Sequence, residues 1–160
     1  MNWPTTLSLP DNDLSVGVLG GVAFGEGRGS GSQGALLGVE AGWHHGVVGA
    51  QVGLRTYREG QALRVTGTVE ITAWYMVLIG AGGRFGDMLE PGGPGVPTRE
   101  TALTLFVGVP IPMWKGSSGA WVLMPFVRPG VRLGDSKGLS GHHEAGLGFR
   151  WTSYGWGSSL

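Results

Sequence analysis

The stretch from Ala35 to Thr56 constrains the fold most, because it consists of two period-two runs joined by a very short connection. Successive side chains of a β-strand point to opposite faces, so two such runs predict a β-hairpin. One face of this hairpin carries mainly glycines, with the carboxylate of Glu40 and the guanidinium of Arg55, which is typical of a crowded interior. The opposite face carries the apolar residues, which are Ala35, Leu37, Val39, Ala41, Trp43, Val48, Ala50, Val52 and Leu54.

Composition excludes several classes of protein. The 160 residues fit one domain, and the 33 glycines follow no collagen period. Charged residues make up 14% of the chain, well below the roughly 25% that is usual in soluble domains. The chain has no cysteine, which excludes a disulfide framework and a thiolate metal site. Its net charge of zero and the lack of a basic stripe predict no nucleic-acid partner.

The alternation continues along the chain and predicts an all-β fold, an eight-stranded antiparallel up-and-down transmembrane β-barrel. We expect an extended N-terminal tail over 1–13, the barrel over 14–154 and a C-terminal tail over 155–160. The predicted strands are 14–24, the two strands of the hairpin 35–56, 62–71, 75–85, 100–109, 120–133 and 144–152.

Pro125 and Pro129 lie on the seventh of these strands, 120–133. Because proline cannot donate a backbone hydrogen bond, they predict a bulge or a locally open seam there.

The connections between these strands are predicted from turn-forming residues. A tight turn at Thr72–Trp74 separates the fourth and fifth strands, and Pro110–Gly119 connects the sixth to the seventh. Longer loops are expected over Glu26–Gln33, Gly86–Arg99 and Gly134–His143. Short turns at one rim and longer loops at the other are the layout of small membrane barrels.

Along each predicted strand, the alternate positions that are not apolar are predicted to face the lumen. Their small residues suit the narrow interior of an eight-stranded barrel. Its charges have both signs, and burial requires them to form ion pairs. We place Glu40, Glu70 and Arg150 towards the short-turn rim, Arg128 near mid-height and the others towards the loop rim. The predicted lumen charges are Glu40, Glu70, Glu100, Glu144, Arg55, Arg64, Arg84, Arg128, Arg132 and Arg150.

Aromatic residues on the apolar phase lie near strand ends, where membrane-interface girdles occur. Ordinary core packing is the alternative for these residues. The predicted interface aromatics are Phe24, Trp43, Tyr75, Phe85, Trp121 and Trp151.

Over nearly its whole length the pattern resembles the small eight-stranded outer-membrane barrels of the OmpA and OmpX type, although no family motif is matched. The resemblance implies a bacterial outer-membrane protein whose partners are membrane lipid and the barrel-assembly machinery. It also implies a signal peptide removed before Met1 of this numbering. One departure is the end of the chain, where Ser153–Leu160 loses the alternation and ends without an aromatic residue. We expect a monomer.

Residues suited to catalysis or metal binding are few. His44-His45 and His142-His143 lie at opposite rims, so they are predicted to be turn and loop histidines rather than metal ligands. A loop that holds Asp135, Ser136, Ser140, His142 and His143 has residue types suited to acyl transfer. No catalytic residue, metal site or cofactor is predicted.

Four functions follow from this sequence. The leading hypothesis is a non-enzymatic barrel with a charge-plugged lumen and a structural or surface-loop-presenting role. The alternatives are a small-solute channel of porin type, a lipid A-modifying acyl enzyme and a soluble ligand-binding barrel. The soluble alternative would reverse the orientation, with the apolar phase inside.

Overall fold

The computed structural model describes residues 12–25, 32–59, 62–74, 76–89, 99–133 and 140–153, and they form antiparallel strands. Within these ranges, no helix is long and apolar enough to cross a membrane. The strands are β1 (Asp13–Gly25), β2 (Ser32–His45), β3 (Val48–Glu59), β4 (Ala62–Trp74), β5 (Leu78–Met88), β6 (Arg99–Gly108), β7 (Ile111–Lys115), β8 (Ala120–Arg132) and β9 (Ser140–Thr152).

The sheet closes on itself into a barrel. Neighbouring strands follow the order β6-β5-β4-β3-β2-β1-β9-β8, and pairing between β6 and β8 completes the wall. Strand β7 lies in line with β6 and occupies the same place in the wall, because Val107 pairs with Val127 and Ile111 pairs with Leu123 in the same register along β8. The wall therefore has eight antiparallel strands, which confirms the predicted architecture.

The period of two determines which side chains lie inside. On β3, Val52 and Leu54 are exposed on the outer wall, whereas Gln51 and Arg55 are buried in the lumen. Large apolar side chains on other strands are equally exposed, and Ile71 on β4 retains 71% of its accessible surface. The outer wall is therefore apolar and the interior is largely polar, which is the orientation predicted from the sequence.

Two glycines illustrate how closely the wall packs. Gly21 on β1 faces the lumen opposite Gly146 on β9, and a Cβ atom on Gly21 would overlap the backbone carbonyl of Ala145. Gly46 adopts a φ of 59° in the turn between β2 and β3, a left-handed conformation that favours glycine. Gly21 therefore permits the close approach of β1 and β9, and Gly46 permits the tight turn between β2 and β3.

The predicted turn at Thr72–Trp74 is wrong. Strand β4 continues through Trp74, which pairs with Leu78 of β5, and the amide of Trp74 donates to the carbonyl of Val47 at 2.7 Å. The connection therefore lies three residues further along the chain. Tyr75, which was predicted to begin the fifth strand, lies outside the described residues.

Other boundaries also differ from the predictions. The predicted connection Pro110–Gly119 contains β7, because the hairpin with β8 extends beyond the level of Leu78, the first residue of β5. Strand β9 begins at Ser140, so His142 and His143 belong to a strand rather than to a loop. Strand β1 includes Asp13, which was assigned to the tail, and β2 begins at Ser32. In each case cross-strand pairing extends a strand into a segment rich in polar residues or glycine.

Candidate functional site

A network of ion pairs lies in the barrel interior. All ten charged residues predicted for the lumen are buried, and Arg132, the least buried of them, retains 8% of its accessible surface. They extend from seven strands into the same enclosed space, because each lies at an inward-facing position of its strand. Burial of so many charges is tolerated only when they are paired and hydrogen-bonded.

Arg128 is the centre of this network. Its Nε lies 2.8 Å from Glu70 Oε1, its Nη1 lies 2.9 Å from Glu144 Oε2, and its Nη2 lies 3.4 Å from Glu40 Oε2. These carboxylates belong to β4, β9 and β2, so one guanidinium on β8 connects strands on different sides of the lumen. The guanidinium carbon also lies 4.6 Å from the ring centroid of Phe106, a cation–π contact.

Towards the short-turn rim, Glu40 is shared by two further arginines. Arg55 Nη2 lies 2.9 Å from Glu40 Oε2, and Arg150 Nη2 lies 2.6 Å from Glu40 Oε1. Arg55 also reaches towards Glu144, at 3.5 Å. The two predicted levels of charge are therefore connected through Arg55 and Arg128 into one network.

Towards the loop rim, three guanidinium groups converge on Glu100. Arg84 Nη2 lies 2.5 Å from Glu100 Oε1, while Arg64 Nε and Arg132 Nη2 each lie 3.4 Å from Glu100 Oε2. Arg84 also contacts Glu144 at 2.9 Å, which links this cluster to the Arg128 centre. Shared carboxylates thus join the two clusters of charge into one network.

Several neutral residues that the sequence did not single out complete the network. Gln51 donates to Glu70 Oε2 at 2.5 Å, Thr104 donates to Glu70 Oε1 at 3.0 Å, and Thr68 accepts from Arg55 at 2.5 Å. The hydroxyl of Tyr57 donates to Glu100. Tyr57 shares the phase of Arg55, so continuing the alternation two residues beyond Arg55 would have found it.

The predicted interface aromatics lie on the outer wall near both rims, apart from Tyr75, which lies outside the described residues. Trp43, Trp121 and Trp151 lie near the short-turn ends of their strands, and Phe24 and Phe85 near the loop ends. Trp114 on β7 was missed. Its ring centroid lies 5.9 Å from that of Trp121 and 5.5 Å from that of Phe149, so it extends an aromatic cluster at the short-turn rim.

The histidines do not form a common site. His142 faces the lumen, where its Nδ1 lies 3.0 Å from Arg132 Nη2, whereas His143 lies against Phe24 with ring centroids 5.6 Å apart. His44 contacts the hydroxyl of Thr72 at the opposite rim, at 2.8 Å. In the described part of the chain, no group of three or more His, Asp or Glu residues is placed to hold a metal ion. Asp135 and Ser136 lie outside that part.

These features define a class of protein, a small closed antiparallel β-barrel with an apolar outer wall and a charged interior. Among solved structures, the chain is similar to the crystal structure of Neisserial surface protein A (NspA), with a TM-score of 0.57 and 12% sequence identity. The similarity covers 92% of this chain and 99% of that one. At this level of identity it shows the fold, and it confirms the resemblance to small outer-membrane barrels as one of fold.

Comparison with protein-family models gives no match. Comparison with curated protein sequences gives none either.

Replacing Arg128 with methionine should destabilise the barrel by about 3–5 kcal/mol, because it leaves Glu70 and Glu144 buried without their central partner. Reversible denaturant unfolding of the refolded protein measures this loss. Adding Glu70→Gln to Arg128→Met should recover part of it, with a coupling of about 0.5–3 kcal/mol. An unfolding free energy of Arg128→Met within about 0.5 kcal/mol of wild type would contradict the central role of Arg128.

Proposed function

We propose that this chain is an integral β-barrel of a bacterial outer membrane, closed internally by its charge network, with a structural or surface-loop-presenting role and no catalytic activity. The observation that carries the proposal is the apolar outer wall around a charged interior. A barrel built for water has the opposite arrangement.

The outer wall would be unfavourable in water. Val16, Val39, Val52, Leu105 and Leu147 each retain more than half of their accessible surface. Fully burying an exposed side chain of this kind contributes about 1.5–3 kcal/mol, of which roughly half remains to be gained at these half-buried positions. Monomeric soluble proteins rarely expose contiguous apolar patches of this extent. Lipid acyl chains would cover the wall, which makes membrane lipid the principal partner of the barrel.

Strand lengths support the same proposal. The strands that form the wall contain 10 to 14 residues, from β6 to β2. A tilted strand crosses the hydrocarbon core with about 9–11 residues. The rim aromatics, such as Trp43 and Phe85, would then lie at the two membrane interfaces.

The outer membrane is the proposed location because closed barrels of this size with short turns at one rim are typical of it. The similar fold of NspA, which is described as a surface protein, supports this location. Assembly into that membrane would require the barrel-assembly machinery, and export would require the signal peptide expected from the sequence.

Two alternatives are less consistent with the described residues. A soluble ligand-binding barrel requires the apolar phase inside, whereas Val39, Val52 and Leu105 face outwards. An acyl-transfer site would need its histidine and nucleophile on one surface, and because His142 faces the lumen and His143 faces the outer wall, at most one of them can share a surface with a given nucleophile. The proposal therefore assigns a stable barrel, not an enzyme.

Membrane insertion predicts a depth-dependent cost of charge on the outer wall. Val52→Arg places a cation near the middle of β3 and should destabilise the protein in lipid vesicles by about 2–4 kcal/mol. Val48→Arg is the matched control, because Val48 is equally exposed but begins the strand at the turn, where the cost should be about 0–1 kcal/mol. Equal unfolding free energies for the two variants would argue against a membrane around this wall.

The closed lumen distinguishes this proposal from a small-solute channel. Arg128 and its carboxylates cross the interior, so purified wild-type protein in planar lipid bilayers should give no steady conductance step. Heat-denatured protein added to the same bilayers provides the baseline. A reproducible step of constant size would favour the channel alternative and contradict the plugged lumen.

A further inference from the structure

Two open grooves lie side by side on the apolar outer wall, where they cross β9, β1 and β2. The larger groove has a volume of about 840 Å³ and the smaller groove one of about 380 Å³. Both are lined mainly by apolar side chains, and both contact Val18 of β1 and Phe149 of β9. These two side chains therefore form the ridge that separates the grooves.

Small residues at two outward-facing positions form the floors of the grooves. Ala41 lies in the larger groove between its cross-strand partners Val16 and Val52. Gly20 lies in the smaller groove between its cross-strand partners on β2 and β9. A Cβ atom on Gly20 would have the Cδ2 atom of Leu37 as its nearest neighbour, at 3.6 Å. The floor of the smaller groove therefore has room for a side chain, and a larger residue at position 20 would fill it.

Both grooves extend from the short-turn rim to about the middle of the wall. The larger begins at Trp121 and Trp151, near the short-turn ends of β8 and β9, and ends at Leu54, near the middle of β3. The smaller begins at Leu123 of β8 and ends at Leu37, near the middle of β2. If the barrel spans a membrane, as proposed above, the grooves cross one leaflet of the bilayer.

Aromatic rings and one cation lie where the two grooves begin. Trp121 stacks on Phe149 with ring centroids 4.9 Å apart, and the ring centroid of Trp114 lies 5.9 Å from that of Trp121. Lys115 follows Trp114 on β7, and among the described residues it is the one exposed lysine or arginine at the short-turn rim. Indole rings favour the polar boundary of a bilayer, and an ammonium group attracts phosphate there. This end of the grooves therefore suits a phosphate headgroup.

We propose that this part of the wall is a phospholipid site, which binds one diacyl phospholipid from the leaflet on the short-turn side. The two acyl chains lie in the two grooves on either side of Phe149, and the phosphate group lies at the rim near Lys115. Two grooves that share one ridge and begin at one rim match two chains joined at one headgroup. The site lies outside the lumen and requires no opening of the barrel. This inference rests on the membrane location in the proposed function.

Lipid titration followed by native mass spectrometry tests the phospholipid site. Delipidated wild-type protein in detergent should bind one molecule of dipalmitoyl phosphatidylglycerol saturably. It should bind the single-chain palmitoyl lysophosphatidylglycerol more weakly, and also dipalmitoylglycerol, which has no phosphate. Absence of a saturable one-to-one complex, or equal affinity for the three lipids, would overturn the proposal.

Filling the smaller groove tests the place of the second chain. Gly20→Leu should weaken binding of dipalmitoyl phosphatidylglycerol by about tenfold, the effect of leaving about two methylene groups unburied. Gly67→Leu is the matched control, because Gly67 faces outwards on β4 between the buried residues Thr66 and Thr68 and lies away from both grooves. A Cβ atom there would meet nothing closer than 3.9 Å, so this variant should bind as the wild type does. Equal affinities of the two variants would contradict the proposal.

Removing the rim cation tests the place of the phosphate. Lys115→Gln should weaken binding of dipalmitoyl phosphatidylglycerol by about twofold to fivefold, as expected for an exposed ion pair, and leave that of dipalmitoylglycerol unchanged. Arg58→Gln is the matched control, because Arg58 is exposed at the opposite end of the wall, near the loop end of β3. An equal effect of Lys115→Gln on both lipids, or an equal effect of the two variants, would contradict the place of the headgroup.

Two further observations separate the possible failures. Vesicle flotation of the refolded wild type shows whether it inserts, so failure to float counts against the membrane location. Floated protein that forms no saturable lipid complex counts against the phospholipid site instead. A lipid-free dimer that dissociates in Gly20→Leu but not in Gly67→Leu would assign the grooves to a second copy of the chain and overturn the proposal.

Discussion

The structure depends on ion pairs that are formed where water is excluded. Arg128 is stable inside the barrel because Glu70, Glu144 and Glu40 reach it from three other strands. The pleat of each strand points these groups inwards and their neighbours along the strand outwards. One register of the strands therefore produces both the charged lumen and the apolar wall. A slip of a single residue would reverse both faces. The network therefore favours one register for every strand that contributes to it.

Much of this arrangement can be predicted from the sequence, because the period of two depends only on the backbone. Alternation alone placed Val52 outside and Arg55 inside, and the same alternation separates Val39 from Glu40. Strand ends were predicted less well. Composition at Thr72–Trp74 and before Glu144 did not reveal that cross-strand hydrogen bonds extend β4 and β9. Turn-forming residues indicate where a chain can turn, whereas the pairing partner decides where it does.

The partners within the lumen lie beyond sequence reasoning of this kind. Arg128 and Glu70 are 58 positions apart, and their contact depends on the closure of the barrel. Neutral members such as Tyr57 and Thr104 carry no charge signal, although they share the inward phase. The seam was partly predictable, since Pro129 removes a donor wherever it lies in a strand. The pairing between β6 and β8 skips Leu105 and Phe106, and the position of Pro129 opposite Leu105 emerges only from the register. Local chemistry thus predicts which faces form, and closure of the sheet determines what meets inside.

The orientation of the wall in a membrane is the central claim, and spin labels along β3 test it most directly. Single nitroxides at 52, 53 and 54 in vesicle-inserted protein report collisions with oxygen, which partitions into lipid, and with a water-soluble nickel chelate. We expect frequent oxygen collisions at 52 and 54 and few collisions with either reagent at 53, because position 53 faces the filled lumen. Frequent nickel collisions at 52 and 54 would contradict the account, because they would place the apolar wall in water.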